Sequence, residues 1–160
     1  MHRQWQQYIQ GPAPHQGRPL MKKLHPNVET LRAIYKDLAR IAEFADHDIV
    51  LHKADRGARG GLSMVIGRRS VQNHELDLIE HTRQTLYMDV HEIVADDHFG
   101  SVMGYMRATC ERKKIAMPFC GLWRFRDGKI VEHWENVYDI RAFGSFMMGD
   151  ESLMSRWLCD

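Results

Sequence analysis

Cysteine is scarce in this chain, and its arrangement excludes two classes of small domain. The 160 residues contain three cysteines, Cys110, Cys120 and Cys159. An odd number without a C-x-x-C pair indicates neither a disulfide framework nor a zinc knuckle. Cys110 and Cys120 could face each other across a hairpin, although nothing in their spacing requires a bond. We interpret the cysteines as small apolar side chains in a reducing compartment, which predicts a cytoplasmic protein.

The chain also lacks a long apolar run and an excess of charge of either sign. No stretch approaches the roughly 18 apolar residues that a membrane span needs, which excludes a membrane-spanning protein. Lysine and arginine number 22 against 21 aspartates and glutamates, so attraction to phosphate does not predict a nucleic-acid partner. With 44% hydrophobic and 27% charged residues, the composition is typical of a soluble globular protein.

Composition divides the chain near residue 25. Residues 1–25 contain three of the five prolines and no acidic residue, and they lack the apolar core of a secretory signal. We predict a flexible leader over residues 1–25 and a single folded domain over residues 26–160, because the length suggests one domain.

The first half of that domain has helical patterns around one short strand. Apolar residues at helical spacing predict a first helix over residues 28–45, with Asn27 as its N-cap. A short strand is expected over residues 49–52. A second helix is expected over residues 71–82, capped by Ser70.

The second half has the pattern of an antiparallel meander. Asp127 and Gly128 form a two-residue hairpin signal between two β-rich runs. The expected strands cover residues 86–95, 99–112, 115–126 and 129–139. Helices followed by such a meander predict an α+β fold, in which a cone-shaped, curved sheet wraps around the N-terminal helices and encloses a pocket.

Known motifs for metals and nucleophiles are missing. His74 lies on the second helix and His52 ends the first strand, but no H-x-H or H-E-x-x-H spacing supports a metal site. We therefore predict no bound metal. Leu76 and Ile79 are expected to form the apolar face of the second helix, with Glu75 more exposed.

The last strand carries the candidate chemistry. Because strand residues alternate between faces, His133, Glu135 and Val137 share one face. If this face lines the pocket, burial would raise the pKa of Glu135 toward the range useful for proton transfer near neutrality. The alternative, in which Glu135 points to solvent and pairs with a lysine, stays open from the sequence.

The preceding strand offers the pocket walls. Phe119, Gly121, Trp123 and Phe125 alternate along one of its faces. Aromatic side chains there suit a flat or cyclic apolar ligand, although core packing explains them equally well. Gly121 would leave room for a ligand or bend the sheet.

Several of these segments resemble the SnoaL-like polyketide cyclase family, which belongs to the nuclear-transport-factor-two-like superfamily. The resemblance covers residues 27–147. It rests on the D-I-V-L-H run that ends at His52, on Gly67 before the second helix, and on the W-R-F-R-D-G-K-I-V-E-H-W run from Trp123 to Trp134. It implies three N-terminal helices, a curved mixed sheet, chemistry without a cofactor and a homodimer formed through the sheet.

The resemblance also implies roles for individual residues. The family's proton-transferring acid on the last strand matches Glu135, where this chain has glutamate instead of aspartate. His133 falls at a pocket wall, and His74 matches a polar residue one turn into the second helix. We take these three as candidate catalytic residues. The predicted substrate-binding residues are Tyr35, which matches a pocket tyrosine, together with His52, Phe119, Gly121, Trp123 and Val137.

These expectations predict an enzyme that applies acid–base catalysis, without a cofactor, to an apolar and cyclic small molecule. A polyketide cyclase or a related cyclase or isomerase of natural-product biosynthesis is the first hypothesis. An epoxide hydrolase or a dehydratase would use the same pocket. A non-catalytic module for ligand binding or dimerisation is the alternative from another class.

Overall fold

Helices precede and flank one mixed sheet in the computed structural model of this chain, which describes residues 24–56, 62–110 and 112–148. The described helices are α1 (Pro26–Lys36), α2 (Ile41–Phe44), α3 (Arg68–His81) and α4 (Ile140–Met147), with a 3-10 turn at Leu38–Arg40. The described strands are β1 (Ala45–His52), β2 (Met64–Ile66), β3 (Tyr87–Ala95), β4 (Phe99–Cys110), β5 (Lys113–Arg126) and β6 (Lys129–Trp134). The predicted α+β class is confirmed. The predicted leader lies, except for its last two residues, outside the described residues.

The first helix starts earlier and ends earlier than the sequence pattern predicts. Pro26 lies in its first turn, where a missing N–H costs nothing, and His25 rather than Asn27 is the N-cap. Asn27 is instead buried, and its side-chain amide donates to the carbonyl of Asp96 at 2.8 Å. This bond fastens α1 to the turn between β3 and β4.

The sheet is curved and open. Its strand order is β2-β1-β6-β5-β4-β3. The β1–β6 pair is parallel, and the other pairs are antiparallel. Register shifts in the β3–β4 and β5–β6 pairs mark bulges, which increase local twist and bend the strands. The predicted hairpin turn is present, with Asp127 at φ 51° and Gly128 at φ 73°, as a tight turn between twisted strands requires.

The core lies between the inner face of the sheet and α1 and α3. On β5, alternate residues from Ile115 to Phe125 are buried, which places the predicted aromatic face inward. Cys110 pairs with Lys113 and Cys120 with Met103, so the two cysteines do not face each other across the hairpin as the sequence allowed. None of the described helices is long and apolar enough to cross a membrane.

Candidate functional site

A small cavity lies between the inner face of the sheet and helices α1, α3 and α4. Its volume is about 60 Å³, which holds only a few water molecules. Seven of the predicted site residues line it: Tyr35, Phe119, Gly121, Trp123, His133, Glu135 and Val137. The structure therefore brings most of the sequence-predicted site together in one place.

Glu135 points inward at the end of β6 and is held by two donors. Its carboxylate accepts a hydrogen bond from the Ala54 backbone N–H at 2.9 Å, and it lies 3.1 Å from His74 Nε2. Only 16% of the side chain is exposed. Burial raises the pKa of Glu135, but the bond from His74 and the other nearby donors outweigh it and lower the pKa below its usual value. The raised pKa that the sequence predicts for Glu135 is therefore wrong, because that prediction takes account of burial but not of these hydrogen bonds.

His74 lies beside the cavity, on α3, and completes a carboxylate–imidazole pair. Burial lowers the pKa of His74, whereas the hydrogen bond to Glu135 and the charge of that carboxylate raise it, and the net shift is upward. The side chain is 20% exposed. His74 also lines a separate outer pocket of about 290 Å³, which Glu135 reaches as well. The pair thus connects the cavity to a second opening.

His133 is a neutral acceptor. Its Nδ1 lies 3.0 Å from the Leu122 carbonyl, and because a carbonyl only accepts, Nδ1 carries the proton and Nε2 keeps its lone pair. The ring stacks on Trp123 with 3.5 Å between ring centroids. Burial lowers the pKa of His133 to about 4, so the imidazole is uncharged at neutral pH.

The sequence reasoning missed Glu75, which the structure places in the wall of the cavity. Glu75 is 3% exposed, whereas Leu76, expected on the apolar face of α3, is 43% exposed. The prediction for this face was wrong. The signal was the spacing of Val71, Glu75 and Leu78, which places Glu75 in line with two apolar residues of the helix.

Glu75 has the opposite electrostatic character to Glu135. No described residue donates a hydrogen bond to its carboxyl group, and burial together with the charge of Glu135 raises its pKa to about 8. The carboxyl group therefore holds its proton at neutral pH. Two carboxyl groups in one cavity with opposite shifts are the pattern of an acid and a base.

Three acceptor groups meet at this point. Glu75, His133 and Glu135 each offer one potential ligand atom, and these atoms lie within 4.8 Å of one another. Side chains of this kind can hold a cation. A proton on Glu75 removes the repulsion between its carboxylate and that of Glu135 without a bound ion. It also agrees with the raised pKa of Glu75.

Two donors complete the cavity. The indole N–H of Trp123 is buried and has no hydrogen-bond partner among the described residues. The Tyr35 hydroxyl lies nearby, against the backbone of Gly121, where an added Cβ would collide with it. Burial raises the pKa of Tyr35, so the hydroxyl keeps its proton. The cavity thus presents the Trp123 and Tyr35 donors together with the Glu135 carboxylate.

His52 does not belong to this group. Its Nε2 lies 2.8 Å from the Glu132 carboxylate, and its ring stacks on Trp134 with 5.2 Å between centroids. These partners occupy positions on β6 that alternate with His133 and Glu135, so they lie on the other face of the sheet. The structure does not support the predicted substrate contact of His52.

Comparison with known proteins adds a family match. The model of the SnoaL-like domain matches residues 30–133. No curated protein sequence matches the chain.

Solved structures share the fold at low identity. A protein of Jannaschia sp. CCS1 described as a SnoaL-like polyketide cyclase is 15% identical, covering 84% of this chain and 99% of its own, with a TM-score of 0.62. An NTF2-like protein of unknown function from Burkholderia pseudomallei is 18% identical, with coverages of 79% and 100% and a TM-score of 0.63. TerC, co-crystallised with polyporic acid, is 20% identical, with coverages of 78% and 100% and a TM-score of 0.64.

Proposed function

Because this chain belongs to the family of SnoaL-like domains, we propose that it is a cyclase or isomerase that moves a proton next to a carbonyl group of an apolar, cyclic small molecule. One observation carries the proposal. Two buried carboxyl groups face the same cavity, and their pKa values are shifted apart, that of Glu135 downward and that of Glu75 to about 8. Environments that separate two carboxyl groups in this way assign one as base and the other as acid.

Glu135 is the base. It is ionised at neutral pH, and the Ala54 N–H and His74 fix its orientation. It takes a proton from the carbon beside the substrate carbonyl, and the electron pair of the broken C–H bond moves into an enolate. A low pKa makes the Glu135 carboxylate a weak base. The enolate therefore needs strong stabilisation from the rest of the cavity.

The donors of the cavity supply that stabilisation. The carboxyl group of Glu75 is protonated, and the indole N–H of Trp123 lacks a partner. Together with the Tyr35 hydroxyl they donate to the developing oxyanion, which is worth most in a site that excludes water.

The enolate then has two outcomes that use the same residues. In an isomerisation, Glu135 returns the proton to a different carbon. In a ring closure, the enolate carbon attacks a second carbonyl of the same molecule and the first carbonyl re-forms. The new alkoxide oxygen takes the proton that Glu135 removed, which restores the Glu135 carboxylate. His74 connects Glu135 to the outer pocket, which gives the proton a route to and from solvent.

The neighbours support a small-molecule role. TerC was co-crystallised with polyporic acid, and the Jannaschia protein is described as a polyketide cyclase. A dehydratase or an epoxide hydrolase would also use a buried carboxylate, and a binding module would use the cavity alone. The pairing of an ionised with a neutral carboxyl group favours enolate chemistry over these.

Proton exchange tests the proposal without knowledge of the substrate. We expect the protein to speed the exchange of the methyl protons of acetophenone for deuterium in D₂O at neutral pH, followed by NMR. Glu135→Gln should reduce this catalysed exchange about 10²- to 10⁴-fold, because the general base is lost. Glu132→Gln is the matched control, since Glu132 lies on β6 three residues before Glu135 and its side chain is on the opposite face of the sheet, beside His52. Equal exchange by Glu135→Gln and the unchanged protein would contradict the assignment.

We also propose that a second copy of the chain covers the outer face of the sheet. Phe99, Met103 and Tyr105 of β4 alternate on this face, with Leu122 beside them on β5. Their exposed fractions are 57%, 39%, 43% and 44%. Large contiguous apolar patches of this kind mark interaction sites, and the family resemblance implies a homodimer through the sheet.

A further inference from the structure

The cavity alone is too small for the substrates proposed above. Its volume of about 60 Å³ is well below the 300–1,000 Å³ or so of ordinary ligand pockets. A carbonyl group with one or two neighbouring carbons fills it. The remainder of a cyclic substrate must lie elsewhere.

A groove of about 950 Å³ opens directly beside the cavity, between α1 and β3. The groove and the cavity share four lining side chains: Tyr35, Leu38, Leu86 and Met88. These four residues therefore form the wall between the two spaces. We call them the dividing wall.

Three of the four side chains in the dividing wall can move. Leu38, Leu86 and Met88 are only partly buried, and Met is flexible enough to follow the shape of a neighbour. Tyr35 is also partly exposed, while its hydroxyl reaches the inside of the cavity. A rotation of Leu38, Leu86 and Met88 would join the two spaces while Tyr35 stays stacked on Phe119.

The groove combines an apolar floor with polar and charged side chains. Ile79 of α3 and Val90 and Ile93 of β3 lie in it, and each of them is partly exposed. Its rim is polar and is lined by Arg32, Lys36, Asp37, Gln84, His91 and Glu92. An apolar floor with a polar rim fits a hydrocarbon or aromatic group whose far end stays in water.

We propose that the groove between α1 and β3 binds the non-reacting, apolar part of the substrate, while the carbonyl end passes the dividing wall into the cavity. The inference rests on the proposed function for the identity of the carbonyl end. It adds that the substrate is bipartite, and that the affinity comes largely from a part that never meets Glu135.

Ligands of graded length test the groove. We would measure the dissociation constants of a series of 4-alkylacetophenones, from methyl to hexyl, by isothermal titration calorimetry. Each methylene group buried in the groove should tighten binding about fourfold, until the chain leaves the far end of the groove. Binding that does not depend on chain length would overturn the proposal, as would an absence of binding across the series.

Two substitutions localise the effect. Val90→Asp puts a charge on the groove floor and should reduce the gain to less than about twofold per methylene. Leu76→Asp is the matched control, because Leu76 is 43% exposed on α3, outside the groove and away from the outer face of the sheet, and it should keep the full gain in affinity. Tyr87→Asp, at a groove position that is 58% exposed, covers the case in which Val90→Asp fails to fold. A full length dependence in the folded groove variants would refute the site.

The outcome is separable from that of the proposed function. If binding tightens with chain length but deuterium exchange does not depend on Glu135, the groove proposal is supported and the enolate chemistry is contradicted. Exchange that depends on Glu135, with no effect of chain length, would do the reverse.

Discussion

At the scale of single residues, the site depends on the location of one proton among Glu75, His133 and Glu135. Each group alone is an acceptor when it is deprotonated, and their ligand atoms lie within 4.8 Å. His133 cannot take the proton easily because burial lowers its pKa to about 4. Glu135 has its negative charge satisfied by Ala54 and His74. The proton therefore belongs to Glu75, whose carboxyl group has no such donors.

This assignment predicts how Glu75 affects stability with pH. Its pKa is about 8 in the folded protein and near 4.5 as an ordinary glutamate, so between these values the folded state binds a proton that the unfolded state has lost. Stability from this group is then present below about pH 4.5 and decreases as the pH rises toward 8, by on the order of 1 kcal/mol per pH unit. Glu75→Gln should remove this loss, so that the variant exceeds the unchanged protein most at pH 8.

Urea unfolding at pH 6, 7 and 8 measures that difference. Subtracting the two proteins cancels the contributions of titrating groups that Glu75 does not influence, so the remaining difference belongs to Glu75 and to its neighbours His74 and Glu135. Glu80→Gln, on the exposed side of the same helix, is the control. Its free energy of unfolding should differ from that of the unchanged protein by the same amount at all three pH values. A Glu75→Gln difference that stays constant with pH would place the proton elsewhere.

Position 121 requires a residue without a side chain. A Cβ there would collide with the Tyr35 hydroxyl and come within 3.0 Å of Trp123 Nε1. We expect Gly121→Ala to destabilise the protein by about 1–3 kcal/mol, as overpacking does in cores. Tyr35→Phe removes the colliding oxygen, so the double variant should recover part of that loss.

The matched control for this cycle is Gly144→Ala. An added Cβ at Gly144 meets nothing within 4 Å, and the residue lies in α4. Alanine favours a helix over glycine by as much as about 1 kcal/mol, so this variant should be neutral or more stable. Additive effects of Gly121→Ala and Tyr35→Phe on unfolding free energy would show that the two groups do not meet.

At the scale of helices and strands, the sequence patterns correctly predicted the features that depend only on neighbouring residues. The Asp127-Gly128 turn and the inward aromatic face of β5 follow from short-range rules and are present. Those rules do not determine how a short strand is paired. The face on which His52 lies is fixed by the parallel pairing of β1 with β6, which brings His52 to Glu132, 80 positions further along the chain.

The same limit explains the two errors around the carboxyl groups. A glutamate on a helix is expected to be exposed, because its charge is costly to bury, and only the tertiary structure reveals that Glu75 faces the cavity. The pKa of Glu135 depends on two donors, the backbone N–H of Ala54 just after β1 and the side chain of His74 on α3. Burial alone predicts the wrong direction, and sequence spacing does not identify the donors.

One bond from the first turn of α1 fastens the helix to the turn between β3 and β4, in addition to the packing of its apolar face. Asn27 is 4% exposed and donates to the Asp96 carbonyl at 2.8 Å. We expect Asn27→Ala to reduce the free energy of unfolding by about 1–3 kcal/mol, because a buried polar contact is lost. Asn73→Ala, at an exposed position of α3, should change it by less than about 0.5 kcal/mol. Thermal or urea unfolding compares the two, and equal effects would show that the bond does not anchor the helix.

At the scale of the whole molecule, the curved sheet has two faces with different uses. The inner face supplies Glu135, His133 and the aromatic walls of the cavity. The outer face carries the exposed apolar residues of β4 and β5. Because β5 and β6 alternate their side chains, each of these strands contributes to both faces. A second copy on the outer face would leave the cavity and the groove accessible from the other side of the sheet.

A charge on that outer face should separate the dimer into monomers. Leu122→Asp places a carboxylate in the apolar patch, where a second copy would have to bury it without a partner. Analytical ultracentrifugation at micromolar concentration should find a dimer for the unchanged protein and a monomer for Leu122→Asp. Leu76→Asp is the matched control, since Leu76 is 43% exposed and Leu122 is 44% exposed, but Leu76 lies on α3; this variant should stay dimeric. A monomeric unchanged protein, or dissociation by both substitutions alike, would contradict the assignment of the outer face, while the cavity chemistry would stand on its own tests.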